Sequence, residues 1–222
     1  MKKIFAVLIA ALVLVCFSAC GEQNEIVSSS SKPSSFQTLT SSEQSSSETE
    51  SEYDFETVLF EVNKKAQKII DEQTDDSMTD VEKAKAVYEW LYYNFKYRAI
   101  AVDVSKGYTR ELTAELAEYY FKYYKGSCEH YAAAQKIFLD LLGFETYYIE
   151  GERYDSGAGV WGEHVWIMIH YEGAYYHVDG LFGGNHTASL TSMFCVPDSA
   201  IESTHRWDRN YYPACSQPQL LI

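Results

Sequence analysis

Three side chains in the second half of the chain could together perform nucleophilic acyl chemistry. Cys128 follows Gly126 where a helical pattern begins, and His164 and Asp179 lie in segments with the pattern of β-strands. The N-terminus of a helix carries partial positive charge and free N–H groups, which favour a thiolate and can stabilise an oxyanion. An acid that orients an imidazole, which in turn deprotonates a thiol, forms a nucleophilic triad. These residues therefore predict a cysteine nucleophile that is a thiolate near neutral pH.

Each of the three residues also has an ordinary structural interpretation. A cysteine beside Tyr131 and Ala132 is often a small buried apolar residue, and His164 and Asp179 could be polar residues at the ends of strands. The spacing alone leaves both interpretations open.

The strands that carry His164 and Asp179 are predicted to form a hairpin. Residues 145–154, 164–171 and 174–179 are rich in aromatic and β-branched side chains, and Glu172-Gly173 separates the last two segments. A turn centred there places Asp179 opposite Val165 or Trp166, within side-chain reach of His164.

Helical patterns occupy the residues before these strands. Apolar residues recur at helical spacing from Phe55 to Ile70, and Thr79-Asp80-Val81-Glu82 has the form of a capping box. Residues 109–124 predict a third helix, and a fourth begins at or just before Cys128 and ends at Gly143. Helices followed by strands indicate an α+β fold with an antiparallel sheet.

Four segments together resemble the core of the transglutaminase-like superfamily. They read GSCEHYA at 126–132, LLGF at 141–144, HVW at 164–166 and YHVD at 176–179, and residues 90–97 resemble the helix that precedes the core in bacterial members. The resemblance, which spans residues 79–184, implies a papain-like fold in which a helix packs on an antiparallel sheet. It also implies that Cys128 is the nucleophile, His164 the general base and Asp179 the residue that orients the histidine.

One departure from the family pattern follows the acid, where Gly180-Leu181-Phe182 replaces the more usual Pro-Thr or Thr-Trp. No cofactor is expected. Cys128 and His130 are too few for a structural zinc site, and no regularly spaced acidic loop predicts calcium. The remaining histidines have no ligand-like spacing and are interpreted as surface or core residues: His170, His177, His186 and His205.

The predicted activity is acyl transfer through a thioester on protein or peptide amides, including cell-wall peptide. Hydrolysis, by a protease or a deamidase, is favoured over crosslinking, since water is always present and an amine needs a dedicated dry channel. The alternative is a non-catalytic binding module of the same fold at the cell surface, or a lipoprotein that serves a neighbouring transporter or wall enzyme.

The N-terminus predicts export and a lipid anchor. Met1-Lys2-Lys3 precedes 14 consecutive apolar residues, 4–17, and small residues follow. Phe17-Ser18-Ala19-Cys20 resembles the lipobox of bacterial lipoproteins, although Leu is more common where Phe17 stands. The interpretation is a signal peptide over 1–19, lipid attachment at Cys20 and an extracytoplasmic, membrane-anchored protein. A plain signal peptide cut near Ala19 is the alternative.

Composition separates a tether at 20–52 from the domain at 53–222. Residues 21–52 contain 12 serines and six glutamates and almost no apolar side chains, a composition that favours disorder. The chain carries a formal charge of −14, which becomes −16 when Lys2 and Lys3 leave with the signal peptide. A surface this acidic repels phosphate backbones, so nucleic acid is an unsuitable partner.

Cysteine usage excludes a disulfide framework. If Cys16 leaves with the signal peptide and Cys20 is lipidated, only Cys128, Cys195 and Cys215 remain. A Cys195–Cys215 bridge and two unpaired thiols are both compatible with the sequence.

Overall fold

The computed structural model describes residues 54–181 and 192–220. The predicted signal peptide at 1–19, Cys20 and the tether at 20–52 lie outside these residues and stay predictions, as does the interpretation of His186. None of the helices in the described ranges combines the length and the apolar character needed to cross a bilayer.

The helices begin where the sequence predicts. Asp54 caps the first helix by accepting from the Thr57 N–H, and Thr79 and Glu82 form the predicted capping box of the second. The Tyr124 C-cap of the third helix adopts the left-handed conformation, just before Gly126. The helices are α1 (Phe55–Gln73), α2 (Asp80–Asn94), α3 (Arg110–Tyr123), α4 (Cys128–Leu141) and the short α5 (Asp198–Ile201).

The strands are β1 (Lys96–Tyr97), β2 (Lys125–Gly126), β3 (Glu145–Asp155), β4 (Val160–Tyr171), β5 (Ala174–Val178) and β6 (His205–Trp207). The strands after α4 form a four-stranded antiparallel sheet in the order β5-β4-β3-β6. A separate parallel pair is formed by β1, directly after α2, and β2, directly before α4, and it brings the end of α2 beside the start of α4.

The central element of the core is α4. Tyr131 and Phe138 pack with the buried faces of α1 and α3. Ala132 and Leu139 belong instead to the cluster that contains Val165 on β4. Because one helix contacts both layers, the residue at its N-terminus lies between the helices and the sheet. The predicted α+β fold, with a helix packed on an antiparallel sheet, is confirmed.

The predicted hairpin and its register are also confirmed. Glu172 and Gly173 both have positive φ, 50° and 80°, as a tight two-residue hairpin turn requires. Ile167 of β4 pairs with Val178, the last residue of β5. Asp179 follows Val178 and therefore lies beside the part of β4 that contains His164. The sequence placed the start of β4 four residues too late, at His164, because the exposed stretch from Val160 lacks the apolar pattern.

The C-terminal segment was not assigned from the sequence. It adds β6 to the free edge of β3 and contributes buried residues such as Val196 and Ile201 to a third core cluster. Cys215 belongs to this third cluster and Cys195 to the cluster that contains Val165. Both are buried free thiols, so the unpaired alternative holds in this structure.

Candidate active site

Cys128 is the first residue of α4, where the sequence predicts that a helix begins, and Ser127 is the N-cap. Its half-buried side chain packs with the cluster that contains Val165 of β4. The backbone N–H groups of Val165 and of Cys128 itself both act to lower the pKa of the thiol. The sulfur therefore lies between the start of α4 and the β4 residue that follows His164.

His164 and Asp179 are joined by a hydrogen bond. His164 Nε2 lies 2.9 Å from Asp179 Oδ2, and both side chains are buried. The other carboxylate oxygen accepts from the Leu181 N–H at 3.0 Å, which fixes the orientation of the acid. With Nε2 held by Asp179, Nδ1 is the His164 nitrogen left to receive a proton from a nucleophile.

A second histidine, His205, holds the same carboxylate. Its Nε2 lies 3.1 Å from Asp179 Oδ2, and its Nδ1 lies 3.0 Å from Thr204 Oγ1. The sequence interpretation of His205 as an ordinary surface or core residue misses this role. No local signal could reveal it, because His205 lies on the three-residue strand β6 and reaches the site only when β6 pairs with β3.

Asp179 is held as a carboxylate. Burial alone would raise its pKa, but the charge and hydrogen bond of His164, together with those of His205, outweigh burial and hold it well below its usual range. The residue therefore accepts hydrogen bonds from two imidazoles throughout the neutral pH range.

The prediction of a thiolate at Cys128 is wrong for the resting structure. Burial raises the pKa of the Cys128 thiol to about 12, and the Glu129 carboxylate adds to this by its charge and by accepting a hydrogen bond from the thiol at 3.4 Å. The backbone N–H groups of Val165 and Cys128 oppose this rise in the pKa, but their effect is smaller. The helix terminus was correctly located, but it is not the largest influence on the sulfur.

Trp166 supports the histidine from the same strand. Its indole stacks on the His164 ring, with centroids 5.7 Å apart and planes within 17°. Its Nε1 donates to His177 Nδ1 at 3.1 Å, and His177 Nε2 lies 2.9 Å from Asp198 Oδ1. Thus a chain of one buried and one partly buried hydrogen bond fixes the indole that stacks on His164.

The glycine after Asp179 has a packing reason. A Cβ at position 180 would lie 2.0 Å from the Tyr131 hydroxyl and 3.0 Å from Cε2 of Tyr88. Tyr131 is buried on α4 and fills the space that a side chain after the acid would need. Gly180 and Tyr131 are therefore matched, which accounts for the departure from the usual family residues at this point.

Tyrosines and charged groups surround the thiol. Tyr97 is largely exposed, and its pKa is raised by desolvation first and then by the nearby Cys128 and Glu129. The pKa of Tyr108 is raised by burial and then by the charges of Glu129 and Glu150. Arg153 donates to the Leu181 carbonyl at 2.9 Å, close to the acid. Two tyrosines and the Glu129 carboxylate thus lie near enough to the sulfur to interact with it electrostatically.

In the described part of the chain, two groups of buried or half-buried side chains each bring three metal-ligating atoms within 4.8 Å of one another: His164, Asp179 and His205, and His177, Asp198 and Cys215. In each group the histidine nitrogens and the carboxylate already bond one another. A closed structural zinc site needs four protein ligands, and each group supplies three. Hydrogen bonding accounts for both groups without a metal.

The other sequence candidates lie outside this site. His170 pairs with Glu145 near the surface at 2.9 Å, and His130 contacts Ser127 beneath the start of α4.

Comparison with known proteins identifies the family of the chain. The profile of the transglutaminase-like superfamily matches residues 64–180, more than half of the chain. A solved structure of a proposed cysteine protease from Cytophaga hutchinsonii is similar, with 17% identity and a TM-score of 0.40 over 60% of this chain and 40% of that one. No curated protein sequence matches. The chain belongs to the transglutaminase-like superfamily.

Proposed function

We propose that the protein is a cysteine enzyme that transfers acyl groups from peptide or glutamine-type amides through a thioester on Cys128. The observation that carries this proposal is the buried His164–Asp179 hydrogen bond of 2.9 Å beside a cysteine at a helix N-terminus. Asp179 fixes the ring through Nε2 and leaves Nδ1 for the proton of the thiol.

The reaction follows from these positions. Cys128 gives its proton to His164 as the sulfur attacks the amide carbonyl carbon, and N–H groups at the start of α4 stabilise the oxyanion. His164 then returns the proton to the leaving amine as the C–N bond breaks, which leaves a thioester. A second nucleophile, deprotonated by His164, attacks the thioester and releases the acyl group while the sulfur recovers its proton.

Because the resting thiol is neutral, proton transfer and attack are coupled rather than sequential. The thiol must also break its hydrogen bond to the Glu129 carboxylate, which accepts that bond in the resting state. Water is the favoured second nucleophile, which makes the enzyme a protease or deamidase rather than a crosslinker. The chemistry requires no cofactor, and the substrates are proteins or peptides, including cell-wall peptide.

The test is mass spectrometry of the intact protein with a panel of glutamine-containing peptides, quenched in acid to preserve a thioester. An adduct on Cys128 that is lost in Cys128→Ala and His164→Ala supports the proposal. His170→Gln is the matched control, since His170 lies on the same strand outside the site. Adding a primary amine during turnover distinguishes hydrolysis from transfer by the mass of the product.

A non-catalytic binding module is the second candidate, and the thiol favours it. A cysteine with a pKa of about 12 that is hydrogen-bonded to Glu129 suits a structural residue better than a poised nucleophile. Peptides that bind the protein without forming an adduct, with the same affinity for Cys128→Ala, would select this candidate.

We further propose that the protein is extracytoplasmic and anchored through a lipidated Cys20. The support is the order of basic, apolar and small residues before Cys20 and the Ser/Glu-rich composition after it. Cys20→Ser should move the protein from membrane to soluble fractions without changing its unfolding midpoint. A variant that still needs detergent for extraction would contradict the anchor.

A further inference from the structure

A cavity of about 540 Å³ lies apart from the Cys128 site, between α3 and the segment that precedes it. Neither Cys128 nor His164 nor Asp179 lines it. Its volume falls within the range of pockets that bind small molecules or single side chains. Apolar residues form part of its wall, among them Ile100, Val102, Leu112 and Leu116.

A buried histidine with an unpaired donor lines this cavity. His130 is only 3% exposed, and its Nδ1 accepts from the Ser127 backbone N–H at 3.3 Å. A backbone N–H can only donate, so the hydrogen of the neutral ring is on Nε2. No residue in the described part of the chain accepts from Nε2. Among the described residues, the buried side-chain atoms without a partner belong to Tyr120, Tyr131 and Gln135, so solvent reaches the His130 N–H. This N–H can therefore donate to an occupant of the cavity that His130 lines.

The charges around the cavity indicate what else the occupant carries. Asp103, Glu115 and Glu118 contribute three carboxylates, against the single ammonium of Lys122. None of the three carboxylates forms an ion pair within 4.0 Å of a described lysine, arginine or histidine. Lys122 itself stands 5.2 Å over the Tyr123 ring, at the side of the cavity. A cation is therefore the complementary group.

We propose that this cavity is a binding site for a peptide segment with a basic side chain. A backbone carbonyl of the peptide accepts from His130 Nε2, and the cationic end of the side chain lies near Glu115 and Glu118. The aliphatic part of the same side chain covers Leu112 and Leu116. A lysine or arginine residue in a peptide supplies the backbone carbonyl, the aliphatic stem and the cationic end together. A free amine has no carbonyl to accept from His130.

The test uses the full chain carrying Cys128→Ala, so that no thiol chemistry intervenes and the result does not depend on the proposed acyl transfer. The probes are Nα-acetyl-lysine N-methylamide and its neutral analogue with norleucine. NMR follows the His130 ring nitrogens during each titration. We expect the His130 Nε2 signal to shift and saturate, with a Kd for the lysine probe about tenfold below that for norleucine, roughly 1.4 kcal/mol.

Variants separate the charge from the fold. Glu115→Gln combined with Glu118→Gln should weaken the lysine probe about tenfold, to the level of norleucine. Glu61→Gln combined with Glu72→Gln, which changes two exposed carboxylates of α1 outside the cavity, should leave it unchanged. Equal affinities for the two probes, a static His130 signal, or insensitivity to the α3 substitutions would each overturn the proposal.

Discussion

The Glu129 carboxylate should slow the reaction of Cys128 with electrophiles, and Glu129→Gln should relieve this. The thiol donates to Glu129 at 3.4 Å, and both the hydrogen bond and the negative charge favour the neutral thiol. Glutamine keeps the size of the side chain but removes the charge. The pKa of the thiol should therefore fall, although burial, the larger cause of its rise, is unchanged.

The change in the Cys128 pKa and in its rate of alkylation follows from the loss of the charged hydrogen-bond acceptor. A hydrogen bond to a charged group contributes about 1.5–3 kcal/mol, and the lower end applies because a thiol is a weak donor and the site is half-buried. That is about one pKa unit, or tenfold more thiolate at a given pH. A less basic thiolate is about threefold less nucleophilic, so the net gain in rate is about threefold.

The assay is alkylation by iodoacetamide between pH 6 and pH 10, with peptide mass spectrometry to follow Cys128 separately from the buried Cys195 and Cys215. For a thiol with a pKa of about 12, the rate should rise about tenfold for each pH unit over this range. Glu163→Gln is the matched control, because that exposed carboxylate adjoins His164 but is not among the groups that raise the Cys128 pKa.

Two results would refute this reasoning. If the wild-type rate levels off between pH 6 and pH 8, the thiolate forms near neutrality and burial does not control the sulfur. If Glu129→Gln reacts at the wild-type rate or more slowly, the carboxylate does not hold the thiol in its neutral form.

Three further predictions concern the surroundings of the site. Gly180→Ala should destabilise the fold by about 1–3 kcal/mol in urea unfolding, because its Cβ would lie 2.0 Å from the Tyr131 hydroxyl. Gly162→Ala, where nothing lies within 4 Å, should change stability by less than about 1 kcal/mol. Asp179→Asn should lower stability by about 3 kcal/mol at pH 7. Because the folded pKa of Asp179 is depressed, its stabilisation is present above the unfolded value near 4, and the difference between wild type and variant should shrink as the pH falls below about 4. A difference that stays constant down to pH 2 would contradict this. His205→Phe removes one of the two imidazole donors to Asp179 and should cost about 1–3 kcal/mol, whereas His205→Gln, which retains an N–H donor, should recover part of that loss. Equal unfolding midpoints for the two variants would argue against the hydrogen bond.

Local patterns determined much of this protein from the sequence alone. Capping residues located the starts of α1 and α2, and the Glu172-Gly173 turn set the register that brings Asp179 to the level of His164. These features depend on residues that are close in the chain, so their types and spacing suffice. The order of cysteine, histidine and acid segments then carried the resemblance to the superfamily.

Only the tertiary structure decided the environment of the site. His205 reaches Asp179 because a three-residue strand pairs with the edge of β3, and Gly180 is required by the hydroxyl of Tyr131 on a different element. The state of the thiol was predicted wrongly for the same reason. The helix terminus that favours a thiolate is visible in the sequence, but the stronger opposing effect is burial, which arises only when α4 and β4 pack together and exclude water from Cys128.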